Sequence, residues 1–427
     1  MKKLLLAFLL TLGVISLAAC GGDDPVDPGT EDPGTEEPTP EPEPEPSQGV
    51  TDDTVTVGNT VATSGNLAFV GVPFRTAMEA YFDMVNDAGG VNGRTIEYIQ
   101  YDDEFNAANG LSLTQQLVED DEVFALVGHF GTPTVSATID YLNGVGIPRV
   151  YYATGISGLF APNASGGELA SFPVQPIYDA EGEVMVARAV GDLGASKIGV
   201  IYSNDDAGLG LFNGIELRAD ALNVDLESVQ IDPSSDDLSS AAQTMLDFDP
   251  DVILVASNQV PAATAVRALN LAGSDIPVIT SYVNADATWL GGVQEVLPNF
   301  DVYASAWINI FAEDGVSFSD DYNEFATVIS EYDAELAANS FAFAGWIAAA
   351  TFVEGLERVG DDVLTWENYI AAMEESLVEL PFGVVLDYSS GSRVGTQAMA
   401  FLQGEVTDGV AAFSTVDPIR TIDEILE

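Results

Sequence analysis

The chain has 427 residues, of which 68 are acidic and 12 are basic, and its formal net charge at pH 7 is −56. This balance excludes a nucleic-acid partner, because phosphate binding needs clustered Lys and Arg side chains. Hydrophobic residues make up 47% of the chain and there is one cysteine, so an apolar core holds the fold without an intrachain disulfide. Self-repulsion of this size is screened by salt, which indicates adaptation to a saline or otherwise high-ionic-strength habitat, and the alternative is a surface that captures cations.

The first twenty residues have the pattern of an export signal. Lys2 and Lys3 precede the apolar run Leu4–Leu17, and small residues lead from it to Cys20. The run is too short to span a bilayer, which needs about 20 apolar residues. The cysteine and the two glycines that follow it resemble a bacterial lipobox, in which the thiol carries diacylglycerol. We therefore predict a signal peptide over residues 1–19 and a lipid anchor at Cys20, on the extracytoplasmic face of the cell membrane.

Residues 20–53 are predicted to form a linker. They are rich in Gly, Asp, Glu, Pro and Thr, and Glu and Pro alternate over residues 41–46. Such a segment extends in a polyproline-like conformation that its own charge stiffens. We expect it to hold the folded part of the chain away from the lipid.

From residue 54 onward, β-branched runs alternate with amphipathic stretches. The predicted strands are Thr54–Val61, Ile96–Tyr101, Val123–Val127, Arg149–Tyr152, Lys197–Tyr202 and Val252–Ala256. The predicted helices are Pro73–Ala88, Ala107–Glu119, one with Pro133 in its first turn, Leu209–Leu222, Leu238–Asp247 and Phe341–Glu354, the last with Trp346 in the core. This alternation predicts an α/β fold with parallel sheets, and the break at Phe172–Tyr178 predicts two doubly wound lobes.

The sequence offers little for catalysis. His129 is the only histidine, which rules out two-histidine metal spacings, and we expect it to be a packed residue. A Gly-x-Ser-x-Gly turn, a P-loop and a Gly-x-Gly-x-x-Gly turn are all missing from the sequence. We predict that the protein is not an enzyme and holds no cofactor or metal. An enzyme on this scaffold would depend on His129 or on a pair of acids.

Three loops that follow predicted strands offer binding groups, namely residues 63–66, 128–134 and 153–158. In doubly wound sheets the ligand lies beyond the carboxyl ends of the strands, where helix N-termini attract anions. The loops contain small residues and hydroxyls suited to a carboxylate. The alternative is that they are ordinary caps and turns.

Several sequence motifs occur in an order that resembles a known protein family. Residues 84–94 contain Asn-x-x-Gly-Gly-x-Asn-Gly-Arg, and Asp102 and Asp103 follow. Gly146-Ile147-Pro148, residues 198–208 and residues 249–254 come next in the same order. Over about residues 54–403 the chain resembles the type I periplasmic binding proteins of the branched-chain amino acid ABC-transporter class. The resemblance implies two Rossmann-like lobes joined by three crossovers, which close on a ligand by hinge motion.

We assign residues to these lobes as follows. The first lobe comprises residues 54–176 and 303–386, and the second comprises residues 177–301 and 387–413. Residues 414–427 are predicted to be a C-terminal tail.

The resemblance also places a ligand site on particular residues. The family's hydroxyl after the third strand falls on Thr132, and the groups of its next loop fall on Ala153 and Gly155. The position of the acid that often neutralises the ligand's ammonium falls near Val283, and a position that is often aromatic falls near Asn258. The part of the family's site that binds the ligand's carboxylate is therefore better preserved in this sequence than the part that binds its ammonium. The predicted ligand-binding residues are Ser64, Thr132, Ala153, Thr154, Gly155, Ser157, Tyr178, Asp206, Asn258 and Tyr282. Aromatic residues that would either wall the cleft or pack in the core are Phe130, Tyr151, Tyr152, Tyr202 and Trp307.

The function implied is solute capture for an ABC importer. A monomer would close on an amino acid or a related carboxylate and present it to the permease and ATPase subunits. The alternative is a ligand-sensing receptor that signals through a membrane partner, and neighbouring permease and ATPase genes would discriminate between the two.

Overall fold

The structure is a computed structural model that describes residues 45–311 and 317–427. The predicted signal peptide, Cys20 and most of the predicted linker lie outside these residues. Within the described part of the chain, no helix combines the length and the apolar character needed to cross a membrane.

The first sheet follows from runs of β-branched and apolar residues. Its strands are β1 Thr54–Val61, β2 Thr95–Asp102, β3 Ala125–Phe130, β4 Arg149–Ala153 and β5 Ser171–Phe172. The helices between them are α1 Ala68–Asp87, α2 Ala107–Glu119 and α3 Thr132–Val145. The strands are parallel in the order β2-β1-β3-β4-β5, and β3 is buried along its whole length. Burial on both faces explains its apolar sequence.

The second sheet repeats the alternation. Its strands are β6 Lys197–Ser203, β7 Asp225–Ile231, β8 Val252–Ala256, β9 Val278–Thr280 and β10 Val302–Ala306. The accompanying helices are α4 Tyr178–Gly191, α5 Asp206–Leu222, α6 Ser239–Phe248, α7 Gln259–Leu271 and α8 Ala287–Gly292.

The remaining elements are α9 Asp320–Ile329, α10 Ser340–Val359, α11 Trp366–Glu374, β11 Val378–Leu380, β12 Val384–Leu386, β13 Ala398–Thr407, β14 Val410–Thr421 and α12 Ile422–Leu426. Of these elements, β13 and β14 extend the second sheet, and β11 and β12 form a separate two-stranded antiparallel sheet. The second sheet has the order β14-β13-β10-β9-β8-β6-β7, in which β6 to β10 are parallel and β13 and β14 are antiparallel to their neighbours. Helix α10 packs on α1 and buries Trp346, as predicted.

The chain passes between the two sheets three times, as the family resemblance predicted. It crosses after β5, after β10 and before β13. We use "first lobe" for the first sheet with α1–α3 and α9–α11, and "second lobe" for the second sheet with α4–α8 and α12. The fold is therefore α/β with two doubly wound lobes.

Two predicted lobe boundaries differ from the structure. The prediction began the second part of the first lobe at Tyr303, but Tyr303 pairs with Ile279 of β9 inside the second sheet. The prediction also left residues 414–427 as a tail. Residues up to Thr421 pair with β13, and Arg188 of α4 forms an ion pair of 2.6 Å with Asp417 of β14. The β13–β14 hairpin completes the second lobe because two further strands cover the edge of β10.

Candidate functional site

A cavity lies where the carboxyl ends of the parallel strands of both lobes meet, which is the usual ligand position in doubly wound sheets. It leaves about 100 Å³ in which the centre of a water molecule can move. From the first lobe it is lined by Leu67, Val70, Phe74, Phe105, Phe130, Gly131, Thr132, Ala153, Gln175, Ser340, Phe341 and Ala344. From the second lobe and the crossover after β10 it is lined by Tyr178, Asn258, Gln259, Tyr282, Val283, Ala285, Ala306, Trp307 and Ile308.

Thr132 provides the polar end of the first-lobe wall. It is the first residue of α3, and its Oγ1 lies 2.8 Å from Oγ1 of Thr154 in a buried hydrogen bond. Gly131 precedes it with a φ of 89°, and a Cβ there would lie 2.8 Å from the Phe105 ring. A glycine therefore lets the chain turn into α3 beside the cavity, and the positive end of the helix dipole faces the same end.

Two tyrosines from the second lobe form an aromatic wall. The rings of Tyr178 and Tyr282 stack with centroids 6.0 Å apart and an interplanar angle of 26°. The Tyr282 hydroxyl lies 3.1 Å from the carbonyl oxygen of Pro176 and 3.3 Å from Oε1 of Gln175, to which it donates. A Cβ on Gly155 would lie 2.4 Å from the Pro176 oxygen and 2.7 Å from the Tyr282 hydroxyl. The absence of a side chain at residue 155 is therefore what allows this packing.

Asn258 brings an amide to the same wall. Its Nδ2 donates to the Tyr178 hydroxyl at 3.5 Å, whereas its Oδ1 is buried and has no hydrogen-bond partner among the described residues. Burial raises the pKa of Tyr178, although hydrogen bonds with Thr154 and Asn258 act in the opposite direction. The tyrosine is thus a neutral phenol, and the Asn258 oxygen is an acceptor that a bound molecule can satisfy.

Glu181 supports this wall from behind. It lies one turn after Tyr178 on α4 and is fully buried. Its carboxyl oxygens accept hydrogen bonds of 2.6 Å from the Ser281 hydroxyl and from the Tyr282 N–H. Burial raises the pKa of Glu181 to about 8, and these hydrogen bonds only partly offset that rise. Glu181 therefore holds the β9–α8 loop in place and does not line the cavity.

The cavity has no charge in its described lining. None of the described residues that form its walls is Asp, Glu, Lys, Arg or His, in a chain that contains 68 acidic residues. A group of acidic, histidine or cysteine side chains that would suit a metal ion is also not found among the described residues. The site offers hydroxyls, amides and aromatic faces, so it suits a weakly polar molecule.

The structure brings seven of the ten predicted ligand-binding residues together. Those that line the cavity are Thr132, Ala153, Tyr178, Asn258 and Tyr282. Thr154 and Gly155 lie directly behind them and position their hydroxyl and aromatic groups. Phe130 and Trp307 also line the wall, whereas Tyr151, Tyr152 and Tyr202 do not. His129 is fully buried in β3 and bonds to Thr138 at 2.9 Å, and burial lowers its pKa to about 3.

Three predicted binding residues lie elsewhere. Ser64 is exposed and bonds to Asp102 at the end of β2. Ser157 is exposed and donates to Asp179, the second residue of α4. Asp206 is exposed in the first turn of α5. Each of these side chains bonds to a nearby polar group or faces solvent, whereas the prediction placed it at the ligand.

The sequence did not reveal the cavity-lining residues that distant segments contribute. Ser340 and Phe341 reach the cavity from the start of α10, and Phe105 reaches it from the loop after β2. Gln175 and Gln259 complete the polar surface. No motif marks these residues, because the meeting of the two lobes brings them to the site.

Comparison with known proteins agrees with this architecture. The family model for periplasmic binding proteins matches residues 54–409. The chain belongs to the periplasmic binding proteins. It is a family of solute-binding proteins that act outside the cytoplasm and are not enzymes.

Solved structures of other periplasmic binding proteins share the fold. A fatty acid ABC transporter substrate-binding protein from Thermomonospora curvata has a TM-score of 0.76 at 20% identity, covering 90% of this chain and 96% of that one. An ABC transporter solute-binding protein from R. palustris, solved with 4-hydroxybenzoate, has a TM-score of 0.73 at 19% identity, covering 86% of this chain and 97% of that one.

A relative in sequence is similar over a shorter stretch. An amino acid binding protein from Pseudomonas aeruginosa is 27% identical over 169 residues, which is 38% of this chain. The match spans 42% of that relative's length.

Proposed function

We propose that this protein captures a small carboxylate without an amino group outside the cytoplasm and delivers it to an ABC importer. The two lobes contribute opposite walls of one cavity, so a bound molecule contacts both and stabilises their closed arrangement. The lobes then present the solute to the permease, and the ATPase subunit of the importer supplies the energy.

The uncharged wall carries this proposal. Burying an unpaired charge is costly, and the described walls offer an ammonium group no carboxylate, whereas a carboxylate can be held by hydroxyl donors at the N-terminus of α3. Glu181 contacts the aromatic wall from behind, and its two oxygens accept hydrogen bonds from Ser281 and Tyr282. At neutral pH its raised pKa keeps it largely protonated, so it is unsuited to pair with a cation.

The hydroxyl groups around the Tyr178 phenol suit an anion. The hydroxyls of Thr132 and Thr154 lie at the N-terminus of α3, where the helix dipole favours negative charge. The aromatic and aliphatic walls take the apolar body of the ligand. The names of two structural relatives agree with this, because fatty acids and 4-hydroxybenzoate are both carboxylates that lack an amine, whereas the relative in sequence from Pseudomonas aeruginosa is named an amino acid binding protein.

The anchor completes the proposed role. We propose that Cys20 is lipidated and that residues 20–53 act as a tether between the membrane and the folded lobes. A Cys20→Ala variant should then leave the membrane fraction and appear in the soluble one. If the variant stays with the membrane, Cys20 is not the anchor.

The test is a thermal-shift screen of the purified protein in high salt. Benzoates and alkanoates are compared with amides of the same skeleton and with the corresponding α-amino acids. At a ligand concentration 100-fold above Kd, binding stabilises the folded state by about 2.7 kcal/mol. We expect a rise in Tm with carboxylates and none with their α-amino counterparts.

A matched pair of variants locates the carboxylate. Thr132→Val removes the cavity hydroxyl while keeping the shape of the side chain, and Thr407→Val makes the same change at an exposed position of β13. Loss of a hydrogen bond to a charged group should raise Kd by about 10- to 100-fold in the first variant only. Tighter binding of an α-amino acid would refute the ligand class, and no binding by any compound would refute solute capture.

A further inference from the structure

A second and larger cavity extends along the same edge of the second sheet. It leaves about 520 Å³ in which the centre of a water molecule can move. Ala400 and Leu402 of β13 and Ala412 of β14 form one wall. Tyr322 of α9 and Phe343 of α10 form the facing wall, so this cavity also lies between the two lobes.

The two cavities meet at a thin boundary. Ala285, Ala306, Ile308 and Ser340 line both of them, so at this boundary one layer of residues at most separates the two spaces. Three of the four have very small side chains. Ser340 is fixed there, because its hydroxyl donates to the Ala285 carbonyl oxygen at 2.9 Å. The two spaces are therefore neighbours along the carboxyl end of β10, with this single layer of mostly small residues between them.

The lining of the second cavity is mainly apolar, and its polar side chains are those of Asn309, Tyr322, Ser340 and Thr415. None of its described wall residues carries a charge, and its aliphatic and aromatic members face the space from both lobes. Apolar surface of this extent in contact with water is unusual in a chain with 68 acidic residues, and it marks a surface that another apolar group covers. Only the shared layer of mostly small side chains separates this surface from the ligand cavity, so a ligand that displaces the Ser340 hydroxyl from the Ala285 carbonyl oxygen could cover both.

We propose that the second cavity holds the alkyl chain of an elongated carboxylate whose polar end lies at Thr132. This inference rests on the function proposed above and narrows its substrate class to amphiphilic carboxylates. The polar end and the first carbons occupy the smaller cavity, and the chain passes Ala306 and Ser340 into the larger one. Burying each methylene favours binding, so each one that enters should lower Kd by about fourfold.

The experiment is calorimetric titration of the purified protein with straight-chain alkanoates from butanoate to dodecanoate. In the wild type, Kd should fall steadily with chain length. Ala412→Trp fills the second cavity from an exposed position of β14 and should weaken the longest alkanoates at least tenfold while leaving the shortest unchanged. Val410→Trp is the matched control, because Val410 lies two residues away on the same strand, is 67% exposed and does not line either cavity.

Each outcome of these titrations tests whether the second cavity holds an alkyl chain. A Kd that does not change with chain length, while short carboxylates bind, overturns this inference and leaves the proposed function standing. An Ala412→Trp protein that binds long chains like the wild type also overturns it. Thr415→Trp, at another exposed position of the lining, serves as a second variant if the first does not fold. Failure of every carboxylate to bind overturns both proposals.

Discussion

Replacing Glu181 by Gln should remove a pH dependence from the stability of this protein. Glu181 is fully buried on α4, and its carboxyl accepts hydrogen bonds from the Ser281 hydroxyl and the Tyr282 N–H. A glutamine keeps the size of the side chain and its acceptor oxygen, and its amide can donate to Ser281. The substitution therefore changes the proton equilibrium and leaves the packing in place.

The direction of this pH dependence follows from the pKa values of Glu181 in the unfolded and the folded chain. Burial raises the pKa of Glu181 from its ordinary 4.5 to about 8. Below pH 4.5 the carboxyl is protonated in both the folded and the unfolded chain, so its stability contribution is fully present. Between pH 4.5 and 8 the unfolded chain releases the proton and the folded chain keeps it, so stability falls as pH rises. Above pH 8 the loss levels off at up to about 5 kcal/mol.

The assay is chemical denaturation of the wild type and the Glu181→Gln variant at a series of pH values from 5 to 9, at constant high salt. We expect the free energy of unfolding of the wild type to fall across this range by a few kcal/mol relative to the variant. Glu405→Gln is the control, since Glu405 is an exposed glutamate on β13.

The comparison with the variant isolates one group. The chain has one histidine, and burial lowers the pKa of His129 to about 3, so it does not titrate in this range. If wild type and Glu181→Gln show parallel pH profiles, Glu181 does not keep its proton in the folded state. An ionised Glu181 would then be able to pair with an ammonium group of a ligand.

Two further predictions concern the ion pair between Arg188 and Asp417 and the repulsion among the acidic residues. Asp417→Asn should lower the free energy of unfolding by about 1–3 kcal/mol, because Arg188 is buried and would keep only Asp192 as a partner. Chemical denaturation measures it, and an effect no larger than that of exposed Asp225→Asn would contradict the role of β14. Raising NaCl from about 0.1 M to about 1 M should raise Tm by several degrees, because the screening length falls from about 10 Å to about 3 Å. A constant or falling Tm, measured in NaCl and KCl, would contradict self-repulsion among the acidic residues.

Several elements were readable from local sequence. The β-branched run over β1 and the apolar run over β8 were predicted with the bounds that the structure has, and so was α2. Other ends differ by a few residues. Helix α1 begins at Ala68 and contains Pro73, where the prediction placed its start, because a turn at Gly65–Leu67 leads directly into the helix. The predicted strand at Val123 begins at Ala125 and runs on to Phe130.

The site was readable only in part. Thr132 and Asn258 were predicted from the family resemblance, and both line the cavity because each lies shortly after a strand and at the start of a helix, positions that parallel strands bring to one edge. Ser157 and Asp206 share that position, yet their side chains bond to Asp179 or face solvent. Local sequence does not show which way a loop hydroxyl points, because its partner lies in the other lobe.

The sequence by itself determined the α/β class, the two lobes, the acidic surface and the lack of an intrachain disulfide, because period, composition and motif order are local properties. Only the tertiary structure decided that the cleft is uncharged in its described walls and that a second cavity lies next to it. It also decided that residues 410–421 complete the second sheet and that Glu181 is buried behind Tyr282. The cleft walls and the contact between Glu181 and Tyr282 join segments that are far apart in the sequence, and no local pattern records such contacts.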